Sequence, residues 1–146
     1  MSEPATTPTE TTFSVSLTFT HQMLADLITT FVESGDPVTR SWCQGLRPVD
    51  IASVQDRRFG RPWYASVKIY QTEDMIFIIK ADEAKGAGVF EKEIRISDFA
   101  RGMSLLATHD KGAYAHQFQN ILEDNHDATT ADILMQLIVY GEEVFA

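Results

Sequence analysis

The chain has a single cysteine, Cys43, in 146 residues. One thiol can form neither an internal disulfide nor a cysteine-based metal framework, and its use fits a reducing cytoplasm. Long hydrophobic runs are also lacking. The longest, "MIFII" (Met75–Ile79) and "ILMQLIVY" (Ile133–Tyr140), fall well short of the roughly 18–20 residues of a membrane-crossing helix, so no membrane role is expected. The opening "MSEPATTPTETT" has neither the basic start nor the apolar stretch of a secretory signal. Its Thr, Pro and Glu content reads as a solvated, disordered tail over residues 1–12. Positive charge is scarce: 12 Lys and Arg stand against 21 Asp and Glu, for a formal net charge of −9. That balance opposes generic binding to duplex DNA, whose affinity comes largely from neutralising phosphates. It suits solubility, a basic protein partner or mimicry of a polyanion. No glycine-rich phosphate loop of either common spacing occurs, and no H-x-x-x-H or H-E-x-x-H pair.

What is present can fold. Hydrophobic residues make up 44% of the chain and aromatics 10%, enough for one core, and residues 13–146 read as a single domain. "TFSVSLTF" (Thr12–Phe19) alternates strictly, with Phe13, Val15, Leu17 and Phe19 on one face, the period of a half-buried strand. Thr20 is placed to cap a helix over His21–Ser34, where Leu24, Leu27, Ile28 and Phe31 form an apolar stripe that Gly35 ends. Val38–Gln44 is β-prone, and "GLRPVD" (Gly45–Asp50) breaks the chain. Ala65–Tyr70 and Met75–Ala81 read as a hairpin, the second strand central because it is apolar on both faces. Val89–Ser97 is a further strand with Phe90, Ile94 and Ile96 inward and its charges outward. Ser97 then caps a helix over Asp98–Thr108, and another spans Ala113–Glu123. Thr129 and Asp132 have capping-box spacing for a last helix, Thr130–Tyr140, which buries Ile133, Leu134, Leu137 and Ile138 before Gly141 stops it. Strands followed by helices predict an α+β fold. Its antiparallel sheet has four to five strands, with one N-terminal and three C-terminal helices packed on it.

The charge is uneven. Arg40–Lys80 holds seven basic side chains against four acidic, whereas Ile121–Ala146 holds six acidic and none basic. The two can pair within the fold or between copies in a homo-oligomer, or face different partners. The basic stretch centres on "QDRRFGRPWY". Arginine forks grip phosphate and carboxylate, and aromatic rings stack bases. Arg57, Arg58, Phe59, Arg61 and Trp63 are therefore the candidate ligand or partner contacts, although a polar turn answering the chain's own carboxylates is the plainer reading. Glu142 and Glu143 in the acidic "YGEEVFA" are the second candidate contact, and Val144 and Phe145 beside them are expected to dock on the chain's own sheet or on a neighbouring subunit, with a short linear motif as the alternative.

Cys43, next to Trp42, reads as a buried structural thiol; a nucleophile would want a histidine base that the sequence does not bring near it. His109, His116 and His126 cluster in sequence with Asp110 and Asp127 but lack metal-ligand spacing. No catalytic residue, metal or cofactor is assigned.

"DATTADILMQLIVYGEEVF" resembles the C-terminal signature of small uncharacterised proteins of tailed phages and prophages. In these an Asp-Ala-x-Thr-Ala-Asp stretch precedes an apolar helix carrying Gln-Leu, then an aromatic, Gly and Glu. "LADLITTFVESGDPVTRSWC" and "FEKEIRISDFARGMSLLA" are similar to their earlier helix and to their strand, cap and helix. Ser34–Gly35 departs from the glycine pair of that pattern, and the loop to Trp42 is longer. The resemblance implies a phage-borne accessory protein in the cytoplasm of an infected bacterium. It points to a non-enzymatic protein that binds a host factor, with counter-defence inhibition by occlusion or sequestration as the leading role. The alternative is a small-ligand binder, for a nucleotide or other anion, using the Arg57–Trp63 loop. An enzyme using Cys43 or the His/Asp group is a third class.

Overall fold

The computed structural model describes residues 9–11, 16–49, 62–71, 75–109 and 112–146. Among these the architecture is α+β. Helix α1 (His21–Glu33) leads into α2 (Pro37–Trp42) and strand β1 (Cys43–Pro48). Two 3-10 turns, Trp63–Ala65 and Val67–Gln71, precede β2 (Met75–Asp82) and β3 (Val89–Arg95). The chain then runs through α3 (Ile96–Thr108), α4 (Ala115–Leu122) and α5 (Ala128–Tyr140).

The sheet is antiparallel in the order β1-β2-β3, with β2 central as its two-sided apolar pattern predicts. Cross-strand partners share a face. Leu46, Ile79 and Lys92 therefore lie on the helix side, as do Phe77 with Ile94 and Ala81 with Phe90. The register shifts between Met75 and Phe77, a bulge that turns the consecutive Ile76 and Phe77 both to buried positions. The rings of Phe77 and Phe99 (6.3 Å) and of Phe90 and Tyr140 (5.9 Å) join the sheet to α3 and α5.

Helix α5 sits in the middle of the helical layer and packs against α1, α3 and α4. Every residue from Thr130 to Val139 is buried, so this helix has no solvent face along that stretch. Its closest neighbour is α3, where Gly102 allows the approach. A Cβ built on Gly102 would lie 2.5 Å from Ile138 Cγ1. At its C-terminus the free carbonyls meet two cations. Lys92 Nζ donates to Ile138 O and Val139 O, both 3.2 Å, and Arg101 Nη2 donates to Ile138 O at 3.1 Å. The negative end of the helix dipole is answered there. Burial, first, and the nearby Arg101 hold the Lys92 pKa below its ordinary value.

Several expectations are corrected. The described sheet has three strands, not four to five. Of the strand expected at Thr12–Phe19, residues 12–15 lie outside the described part, and residues 16–20 are neither strand nor helix. Leu17 is exposed there, whereas Phe19 is half-buried and packs against the core. Val38–Trp42 is helical, not extended. Asp36 caps the helix, its side chain accepting from Val38 N at 2.9 Å, and Pro37 occupies the first turn. This cap outweighs the β-propensity of Val38, Thr39 and Trp42. The strand begins only at Cys43 and runs through the supposed break at Gly45. Ala65–Tyr70 is not a hairpin strand. Ile69 and Tyr70 are buried side by side, which 3-10 turns permit and a one-sided strand does not, and Tyr70 Oη donates to Tyr64 O at 2.8 Å. The hairpin is instead β2 with β3. The helix count rises to five among the described residues because α2 joins the expected four.

Two caps also move. Asp98 accepts from Arg95 N at 2.8 Å, so α3 starts at Ile96, ahead of the expected Ser97 cap. Asp127 caps α5, accepting from Thr130 N at 2.8 Å; that bond is the largest cause of its lowered pKa. The helix thus begins at Ala128, and Asp132 falls in its second turn, too far along to cap it.

Candidate functional site

Asp132 does other work. On the inner side of α5 it is 4% exposed, and its Oδ1 accepts from Thr39 Oγ1 (2.7 Å) and Trp42 Nε1 (2.9 Å), both on α2. One turn later lies Gln136, wholly buried, whose Nε2 donates to Asp132 Oδ2 at 2.8 Å. The i, i+4 spacing puts the two side chains on one helix face. Gln136 also holds the end of the chain. Its Oε1 accepts from Val144 N and Phe145 N, both 2.8 Å, and its Nε2 donates to Phe145 O at 2.9 Å. Two backbone donors on the oxygen fix which way the amide points. All its hydrogen-bonding capacity is filled, as a buried amide requires.

An aromatic group closes over this network. Trp42, wholly buried, stacks on Phe145 at 6.4 Å and 13° and meets Phe31 and Tyr140 at 5.6 Å each. Tyr140 lies 5.7 Å from Phe145 and donates its hydroxyl to Asp82 O. Burial is the main cause raising the Tyr140 hydroxyl pKa to about 12. Val144 and Phe145 thus dock on the chain itself, but on α2 and α5 and not on the sheet as expected.

Cys43 follows Trp42 and is half-buried. Burial pushes its thiol up to about 11, with Asp132 and Asp82 adding to the rise and a hydrogen bond from Gly45 opposing it. The thiolate is disfavoured at neutral pH, the opposite of an activated nucleophile. Among the described residues no three His, Cys, Asp or Glu side chains are placed to hold a metal ion. No helix there is long and apolar enough to cross a membrane.

Arg57, Arg58, Phe59 and Arg61 lie outside the described residues. Trp63, half-buried, is committed to the fold: its ring meets Tyr64 at 5.6 Å and Phe77 at 6.1 Å. Glu142 and Glu143 are exposed just beyond α5, and Tyr114 Oη donates to Glu143 Oε2 at 3.2 Å. They are part of a C-terminal stretch that is acidic in sequence, whose exposed carboxylates lie in two groups, one before α5 and one after it. Along residues 112–146 there is no Lys or Arg, and Glu123, Asp124, Asp127, Glu142 and Glu143 are all exposed.

A second surface is the outer face of the sheet. Arg47 and Glu91 pair across it at 3.0 Å. Together with Gln44, Ile78 and Lys80 they line a shallow groove of about 180 Å³. The pair is more than half exposed on both sides, and such pairs contribute little, about 0–1 kcal/mol.

Sequence reasoning did not identify Asp132, Gln136 and Lys92 as partners. The signal for the first two was a pair of polar residues at i, i+4 inside an otherwise apolar helix. For Lys92 it was the strand's period of two, which places it on the face of Phe90 and Ile94. No protein-family model, curated protein or solved structure matches the chain.

Proposed function

We propose that this chain is a non-enzymatic accessory protein of phage type, which acts in the bacterial cytoplasm by binding a host protein and occluding or sequestering it. The observation that carries the reading is the acidic C-terminal stretch. Five carboxylate side chains stand exposed along residues 112–146, three before α5 and two after it, and that stretch contains no lysine or arginine. Such a surface selects basic partners and speeds their encounter while repelling nucleic acid. Two groups that could suggest chemistry are accounted for in other ways. Asp132 is taken up by Thr39, Trp42 and Gln136, and the Cys43 thiol is driven toward its neutral form.

The test is affinity capture from host lysate at low and high ionic strength, with unaltered protein and with the double variant Glu142→Lys, Glu143→Lys. The expected result is a basic host protein that is retained at low salt, released at high salt and not retained by the variant. A captured protein indifferent to both salt and charge reversal, or no captured protein, argues against the reading.

A further inference from the structure

The cleft between α2 and α5 is built as a seat for an extended peptide. Gln136, wholly buried, offers its oxygen to two successive backbone N–H groups, of Val144 and Phe145, and its nitrogen to the Phe145 carbonyl. A side-chain amide that meets the N–H and C=O of one residue repeats the pairing by which one strand recognises another. These bonds read backbone and are indifferent to side chains, except that proline at either position would remove a donor. Side-chain choice falls to the rings: Phe145 stacks on Trp42 and leans on Tyr140. Both rings have a further bond, Trp42 from its indole N–H to Asp132 and Tyr140 from its hydroxyl to Asp82 O. A seat locked in this way is preorganised and loses little freedom on binding.

Its occupant is held far less firmly. The tail leaves α5 at Gly141, in the left-handed region at φ 75°, and passes through two exposed residues, Glu142 and Glu143. Val144 and Phe145 are only half-buried. The arrangement is a rigid receptor with a ligand on a short glycine-led tether.

We propose that the Trp42–Gln136–Tyr140 cleft is a peptide-binding site, filled in this structure by the chain's own Val144–Phe145, and that an extended, aromatic-bearing segment of a partner protein takes it when the tail lifts at Gly141. The segment must offer two successive backbone N–H groups, the second from an aromatic residue. The assignment stands on the cleft alone and does not depend on the acidic C-terminal stretch.

The experiment uses the full chain carrying Phe145→Ala, which empties the ring seat, and the synthetic peptide acetyl-Gly-Glu-Glu-Val-Phe-Ala as probe. Binding is read by calorimetry and by the Trp42 indole N–H resonance. The variant is expected to bind the peptide at least about tenfold more tightly than the unaltered chain, whose tethered tail competes at an effective concentration of order millimolar. Peptides with Pro for the Val or Ala for the Phe are expected not to bind. A second measurement needs no variant. In the unaltered chain, the Val144 and Phe145 amides should exchange hydrogen at least about tenfold faster than those of Leu137 and Ile138, through local lifting of the tail. A folded Phe145→Ala chain that takes up no peptide overturns the proposal. So does tail exchange as slow as that of the α5 core.

Discussion

Replacing Gln136 with leucine would measure what the buried amide contributes. Leucine nearly preserves the volume and removes four hydrogen bonds, to Asp132, to the Phe145 carbonyl and from the Val144 and Phe145 amides. The four losses are unequal. The three tail groups are half-buried, so water reaches them once the tail lifts, and each costs near the net value of a hydrogen bond, about 0.5–1.5 kcal/mol at most. Asp132 Oδ2 has no such recourse. It sits on a side chain 4% exposed and keeps only the partners of its other oxygen, Thr39 and Trp42. A buried acceptor left unpaired costs about 1–3 kcal/mol. Some of this returns through the apolar leucine, which suits the surroundings of α5.

The expected net loss is about 2–4 kcal/mol, or roughly 5–15 °C in Tm for a domain of this size. Urea denaturation gives the free energy directly, with the midpoint lowered and the slope unchanged. A double-mutant cycle with Phe145→Ala should show coupling of at least about 0.5 kcal/mol, because both changes release the same tail. A Gln136→Leu midpoint within error of the unaltered chain would refute the reasoning. It would mean that the amide network returns no more than an apolar side chain in its place.

Gly102→Ala is expected to destabilise by about 1–3 kcal/mol, because its new methyl meets Ile138 Cγ1 at 2.5 Å and helix propensity recovers only about 1 kcal/mol. Ile138→Ala in the same chain should make the double variant lose less than the sum of the two, measured by the same denaturation; strict additivity would show that the contact is not the cause. Cys43 should react slowly with iodoacetamide near pH 8 when folded and readily in urea. Its folded pKa, about 11, lies above the ordinary 9.0, so the folded state keeps a proton that the unfolded state releases. Stability therefore falls as pH rises from about 9 to 11, by on the order of 2 kcal/mol. Cys43→Ala should make that slope shallower around pH 9, below the range near 10 where the raised hydroxyls of Tyr64, Tyr70, Tyr114 and Tyr140 add a slope of the same sign. An unchanged slope would place the loss elsewhere.

Features legible from sequence were those decided by neighbouring residues. Thr20 accepts from Met23 N at 3.1 Å as its position predicts, and Leu24, Leu27, Ile28 and Phe31 are buried as a stripe. Gly141 takes the left-handed conformation that ends α5. The misreadings arose where two local signals competed or where burial decided. Asp36–Pro37 could end one helix or open the next, and only the bond from Val38 shows the second. Ala65–Tyr70 has a strand's composition, yet it folds into turns that bury Ile69 and Tyr70 together. The run Ile133–Val139 is apolar enough to suit either one buried face or complete enclosure. The difference lies in helices distant in the chain, α1 and α3, which close around it. The candidate contacts divided in the same way. Glu142 and Glu143 are exposed as their place in an acidic end suggests, whereas Trp63 is drawn into ring contacts with Phe77 that no local pattern announces.

Helix α5 links the two proposals physically. Its second and third turns carry Asp132 and Gln136, which organise the seat, and its C-terminal carbonyls are gripped by Lys92 and Arg101. The tail leaves just after these carbonyls, so the helix end is fixed and the tail must hinge at Gly141. Glu142 and Glu143 occupy that hinge, and the described contact there, Tyr114 to Glu143 at 3.2 Å, is exposed and long for a hydrogen bond from a hydroxyl. A basic partner drawn to Glu142 and Glu143 would therefore meet the tail at its least anchored point, next to a cleft already shaped for an extended segment. If the two surfaces act together, Glu142→Lys with Glu143→Lys should weaken capture of the partner while leaving peptide binding to the Phe145→Ala cleft nearly intact. Gln136→Leu should do the reverse, abolishing peptide binding while leaving low-salt capture nearly intact. Equal loss of both activities in both variants would show one undivided surface and remove the separate role assigned to the cleft.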